Sequence, residues 1–144
     1  MNFFEKMRGV GKSPPGVGVF EILWSWIGAF LGISAVALLD YGLLEDTDLV
    51  MIIGSFGASA VLIYGAIKSP LAQPRNLIGG HVVSAVIGVF CYQLLHDVMW
   101  LAAAVSVATA IAAMHATRTL HPPGGATALI AVIGSQKIHE LGYL

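Results

Sequence analysis

The chain has 144 residues, with only 7 Lys and Arg and 8 Asp and Glu against 57% hydrophobic residues, and its mean hydropathy is +0.83. An ordinary soluble domain carries roughly a quarter charged residues, so that class is excluded. A net charge of -1 with no basic stripe argues against nucleic acid as a partner, and the single Cys91 leaves no disulfide framework and no cysteine metal site.

In chain order, residues 1–20 lack the continuous apolar core of a cleavable signal. They carry Lys6, Arg8 and Lys12 and are made irregular by Gly11, Pro14, Pro15, Gly16 and Gly18. Five uncharged runs follow, 22–39, 49–67, 76–96, 98–117 and 119–136, of 18, 19, 21, 20 and 18 residues. Each approaches the roughly 20 residues that cross a bilayer core as a helix. Five buried helices of a soluble protein would need a core larger than 144 residues can surround. The pattern therefore predicts an all-α polytopic membrane protein. Its organisation is a cytoplasmic segment 1–20 and one transmembrane domain 21–144, with spans at about 22–39, 49–67, 77–96 and 98–117 and a half-helix at 124–134.

Basic residues near span ends stay on the cytoplasmic side. The loop after the first run holds Asp40, Glu45, Asp46 and Asp48 without a basic residue; Lys68 and Arg75 bracket the next connection, and Arg118 follows the fourth run. A cytoplasmic N-terminus puts six of the seven basic residues on one side, Lys137 excepted. The expected location is a bacterial cytoplasmic membrane. Trp24, Trp26 and Trp100 lie at span starts, as interfacial anchors or as plain packing aromatics.

The second and fifth runs are interrupted. Gly54-Ser55-Phe56-Gly57-Ala58-Ser59 breaks one, and His121-Pro122-Pro123-Gly124-Gly125-Ala126-Thr127 breaks the other. Gly125 to Ile130 also matches Gly57 to Leu62 with three identities and three conservative pairs. The two stretches run in opposite directions through the membrane on this topology, as an inverted repeat requires. Backbone freed from helix bonding in lipid must be satisfied by protein or by a wet cavity. Two half-helix N-termini, with unpaired amides and positive dipole ends, would then form a small-anion site near the midplane, with Ser55, Ser59 and Thr127 adding hydroxyls. Close helix packing through small residues is the competing account of Gly57 and its neighbours.

His121-Pro122-Pro123-Gly124-Gly125-Ala126-Thr127-Ala128 resembles the signature of the HPP family of integral membrane proteins. Ser55 to Ala60 and Ser69 to Asn76, followed by Gly79-Gly80-His81, are similar to its two other characteristic stretches. The resemblance covers about residues 20–144 and implies a compact multi-helix membrane fold. It also implies nitrite as substrate, since plant and cyanobacterial members are associated with nitrite transport. Members generally continue into one further hydrophobic helix beyond the segment like 138–144.

The expected function is thus transport of a small monovalent anion, nitrite first, with no cofactor or metal and with the lipid bilayer as surroundings. A homo-oligomer is expected because so few helices enclose a pore poorly. The candidate substrate-binding residues are Ser55, Gly57, Ser59, Arg75, Asn76, His81, Arg118, His121, Gly124, Gly125 and Thr127. Arg75 and Arg118 read as cytoplasmic anchors or as a vestibule that concentrates anions; Asn76 reads as a cap of the third span or an ion contact. His81, His115 and His121 read as functional groups or as helix-to-helix hydrogen bonders. Two other classes stand beside transport: a non-transporting sensor or scaffold subunit, and an intramembrane serine hydrolase built on Ser59 and a histidine base.

Overall fold

The computed structural model describes residues 16–44 and 54–143. The basic residues Lys6, Arg8 and Lys12, the acidic positions 45–48 and the opening of the second expected span, 49–53, lie outside them. Among the described residues every element is helical: α1 (Val19–Leu44), α2 (Gly54–Gly65), a 3-10 turn (Pro70–Ala72), α3 (Pro74–Leu95), α4 (Met99–Thr117), α5 (Pro123–Ile133) and α6 (Gln136–Leu141). Three helices are long and apolar enough to cross a membrane, over Val19–Leu39, Pro74–Leu95 and Met99–Thr117. The four expected spans are thus three long helices plus α2, which has 12 described residues, while α5 has 11. At 1.5 Å per residue the described part of α2 reaches about 18 Å, and α5 about 16 Å against a hydrocarbon core of about 30 Å.

The helix ends have local causes. Ser69 caps the 3-10 turn by accepting from the Leu71 amide at 3.2 Å, and the Gln73 side chain donates to the Ile67 and Ser69 carbonyls. Pro74 then opens α3, where its missing N–H loses nothing. α4 ends at Arg118, which takes the left-handed conformation at φ 58, a backbone state that costs an L-residue about 1–2 kcal/mol. The Arg118 and Thr119 amides close the α4 C-terminus onto His115 and Met114 carbonyls. Two prolines carry the chain from there into α5.

The centre is a three-helix pack of α3, α4 and α5 held by small residues. α3 offers Gly80, Ser84, Gly88 and Cys91 along one stripe, α4 offers Ala102, Ser106, Ala110 and Met114, and α5 offers Gly124, Ala128 and Val132. In lipid no hydrophobic force drives helices together, so close backbone approach and dispersion must do it. A Cβ on Gly88 would stand 2.6 Å from the Ala128 carbonyl oxygen, and one on Gly124 would stand 2.8 Å from Ser84 Oγ. α2 packs on α5 from outside this pack, and α1 packs on α2. The Tyr64 ring lies over Gly28 and Gly32 of α1, and Ser25 Oγ donates to the Tyr64 carbonyl at 2.6 Å. At the other end α6 folds back: His139 Nε2 donates to the Val132 carbonyl and its ring stacks on Tyr92 at 3.6 Å. Phe20, Trp24, Phe30, Leu38, Phe90 and Trp100 point outward, as lipid-facing residues do.

Gly88→Val should therefore overpack the α3–α5 contact and destabilise by about 1–3 kcal/mol, whereas Gly57→Ala, with open space around the new Cβ, should change little. Thermal melts of the two purified variants in the same detergent check this.

Candidate functional site

Four elements converge on one polar chain. His81 stands on α3, seven residues after Pro74; Ser59 is in the middle of α2; Thr127 is in the second turn of α5; and His121 ends the link between α4 and α5. His121 Nδ1 lies 2.7 Å from the Leu71 carbonyl oxygen in the 3-10 turn. Its Nε2 lies 2.9 Å from Ser59 Oγ, which lies 2.9 Å from His81 Nε2. His81 Nδ1 completes the row at 2.7 Å from Thr127 Oγ1. The two imidazole centroids are 5.1 Å apart, edge to face. His121 and Ser59 are buried, at 0% and 2% exposure.

The carbonyl end fixes where every proton sits. A carbonyl only accepts, so His121 Nδ1 carries hydrogen, and in the neutral ring Nε2 must accept. Ser59 therefore donates to His121 and has a lone pair left for His81. His81 Nε2 donates to that lone pair, and its bare Nδ1 accepts from Thr127. Reversing Ser59 would set two lone pairs against each other at 2.9 Å. The pattern leaves no imidazole lone pair free for a metal, and among the described residues no three His, Cys, Asp or Glu group together to hold one.

His81, Ser59 and Thr127 form the polar floor of a cavity of about 510 Å³. Its other walls are apolar or aromatic, with Gly32, Ile33 and Val36 from α1, Phe56 and Tyr64 from α2, and Leu77, Ile78 and Val82 from α3 among them. The floor lies about 10 Å along α3 from its start, toward the end that holds the 3-10 turn rather than at mid-helix.

The candidate residues therefore divide. Ser59, His81, His121 and Thr127 come together. Ser55 is buried one turn earlier on α2 with no partner for its Oγ, and it does not line the cavity. Gly57 faces outward. Gly124 is packing, against Ser84, the Gly80 carbonyl and Met114, and Gly125 faces Val107 of α4. Arg75 donates to the Thr117 carbonyl at 3.3 Å and Asn76 to the Leu120 carbonyl at 2.8 Å, tying α3 to the α4–α5 link instead of capping its own helix. Arg118 and His115 are exposed at that same end. The expected free amides of α5 are absent: Pro122 and Pro123 have no N–H, and the Gly124 and Gly125 amides bond to the His121 and Pro122 carbonyls. At the start of α5, donors for an anion must therefore be side chains.

One participant carried little sequence signal: Leu71 acts through its carbonyl, which no residue-type argument selects. Tyr64 fills the space left by the Gly28-xxx-Gly32 spacing on α1, a small-residue pattern typical of close helix packing.

The family model of the HPP transmembrane region matches residues 14–144. Two transmembrane proteins of Dictyostelium discoideum are 46% identical, over 140 and 142 residues. Each match covers 95% of this chain but only 45% and 50% of the relative, so the chain spans about half the length of the curated relatives it matches. Those relatives come from a eukaryote, and a bacterial membrane finds no support in them. No solved structure matches.

The proton assignment is directly measurable. Imidazole ¹⁵N shifts of the protein in lipid at neutral ring charge should give the Nδ1–H tautomer for His121 and the Nε2–H tautomer for His81. Ser59→Ala should destabilise by about 1–3 kcal/mol, because it strands the buried His121 Nε2 and removes the partner of the half-buried His81 Nε2.

Proposed function

The chain belongs to the HPP transmembrane family, and from that premise we propose that it moves a small monovalent anion across the membrane, with nitrite as the leading substrate. The observation that carries the reading is the row of Ser59, His81 and Thr127 on the floor of a cavity inside an otherwise apolar helix pack. Ionisable groups within a membrane domain mark substrate and ion pathways. Among the described cavity-lining residues there is no carboxylate to repel an anion, and hydroxyl and imidazole donors suit a nitrite oxygen. An open cavity favours transport over a sensor or scaffold role. Arg75 and Arg118 sit at the end nearest the site and would raise the local anion concentration there, a screened, salt-dependent effect.

The reading extends to architecture. Ser59 and Thr127 hold equivalent places in the Gly57–Leu62 and Gly125–Ile130 match, and both bond to the same His81 ring, which supports an inverted pair of short helices, α2 and α5, beside the long ones. The cytoplasmic side is then the one bearing Arg75 and Arg118. α1 leaves its apolar residues uncovered within one copy, which supports a homo-oligomer.

The hydrolase reading has one observation in its favour: Ser59, His121 and the Leu71 carbonyl stand as nucleophile, base and orienting group. Against it, Ser59 sits inside a helix whose amides are already bonded, so no donors face a developing oxyanion. Transport predicts no labelling of Ser59 by a serine-directed phosphonate probe.

In proteoliposomes, nitrite flux should fall roughly tenfold or more in Ser59→Ala and His81→Gln, because each breaks the hydrogen-bonded row on the cavity floor and strands its partners, a loss of about 1.4 kcal/mol or more. Arg118→Ala should lower flux only about two- to threefold, with the deficit vanishing at high salt. Wild-type flux no greater than in empty vesicles would reject the substrate.

A further inference from the structure

No Lys, Arg, Asp or Glu lines the cavity among the described residues. Tyr64 and His81 are the titratable groups on its walls, one from α2 and one from α3; α1 contributes Gly32, Ile33 and Val36, and α5 contributes Thr127. Behind His81 stands His121, and beyond it Arg75, Arg118 and His115 are exposed at the helix ends. A bare anion on the Thr127–His81 floor would thus be an uncompensated charge among apolar walls, an arrangement that proteins avoid by neutralising the group.

Resting on the anion-transport reading, we infer that each anion travels with one proton, which the two imidazoles share through Ser59, so that transport is an electroneutral proton–anion symport. A proton arriving from the cavity adds to His81 Nδ1, and the Thr127 hydroxyl, released from that nitrogen, turns to donate to the anion. The positive charge is then spread without moving any heavy atom: the His81 Nε2–H bond breaks as a Ser59 Oγ–H bond forms, and the original Ser59 O–H bond breaks as a His121 Nε2–H bond forms. No electrons change owner, and one proton has moved from one ring to the other. It goes no further, because His121 is fully buried and its other nitrogen already donates to the Leu71 carbonyl, which has no proton to pass on. The proton must leave by the way it came, through the cavity and in company with the anion.

The test uses the intact protein in phosphatidylcholine vesicles with a trapped pH dye, nitrite as probe, and protein-free vesicles as the baseline for passive nitrous acid leak. With potassium equal on both sides and valinomycin present, an inside-alkaline gradient of about one pH unit should accumulate nitrite roughly tenfold, as one proton per anion requires, while the interior acidifies. At equal pH, an inside-positive potential should drive none. Uptake that follows the potential at equal pH overturns the symport and leaves anion transport standing; no flux above baseline under either gradient overturns both. Ser59→Ala should cut gradient-driven uptake roughly tenfold and Ser59→Thr should restore it to within about threefold. A Ser59→Thr protein that folds and transports without acidifying the interior would also overturn the inference.

Discussion

One serine hydroxyl has a single proton and must serve two imidazole rings at the edge of an apolar-walled cavity. That constraint organises the molecule. Ser59 satisfies it by donating to one ring and accepting from the other, and this succeeds only because a backbone carbonyl holds the far nitrogen of His121 in its protonated form. The 3-10 turn that presents Leu71 is thus as much part of the site as the side chains. Its own geometry depends on Ser69 and on Gln73, residues remote from the cavity.

Bringing these groups within hydrogen-bond range demands close helices. Gly80 is the critical case: a Cβ there would stand 2.6 Å from His121 Cβ and 2.9 Å from the Thr119 carbonyl. Without a side chain at 80, His121 settles against α3 one residue away from His81, and the two rings meet edge to face. Gly79 does the same for Thr119. The double glycine before the histidine is a spatial requirement of the polar chain, not a break in the helix, since α3 continues through it from Pro74 to Leu95.

The membrane class, the helical fold and the proline-marked helix starts were legible because charge gaps and proline act locally along the chain, whereas Gly54 to Ser59, expected to interrupt the second run, lie within the helix Gly54–Gly65. Also legible were His81, His121, Ser59 and Thr127, as polar residues inside apolar runs that the fold joins in one hydrogen-bonded row. The site's architecture was not. Pro122 and Pro123 suggested a helix start with open amides, yet proline itself removes two of those amides, and the tight first turn consumes those of Gly124 and Gly125. Gly57 and Gly125 shared motifs with site residues but face away from the site, because a helix turns about 100° per residue and neighbours in sequence diverge in direction. Contacts such as Arg75 to Thr117 and Asn76 to Leu120 span 42 and 44 residues, and no local pattern encodes them.

The seating of α1 has a mechanical consequence. It rests on Tyr64 through Gly28 and Gly32 and is pinned by Ser25, while Ser59 lies five residues before Tyr64 on the same helix. The cavity is the gap between this helix pair and α3. Any rocking that widens or narrows that gap carries Ser59 with it, and hydrogen bonds weaken steeply once geometry departs from ideal. The width of the cavity and the continuity of the hydrogen-bonded row through Ser59 are therefore one coordinate, so the gap cannot widen without disturbing the hydrogen bonds of the two histidines.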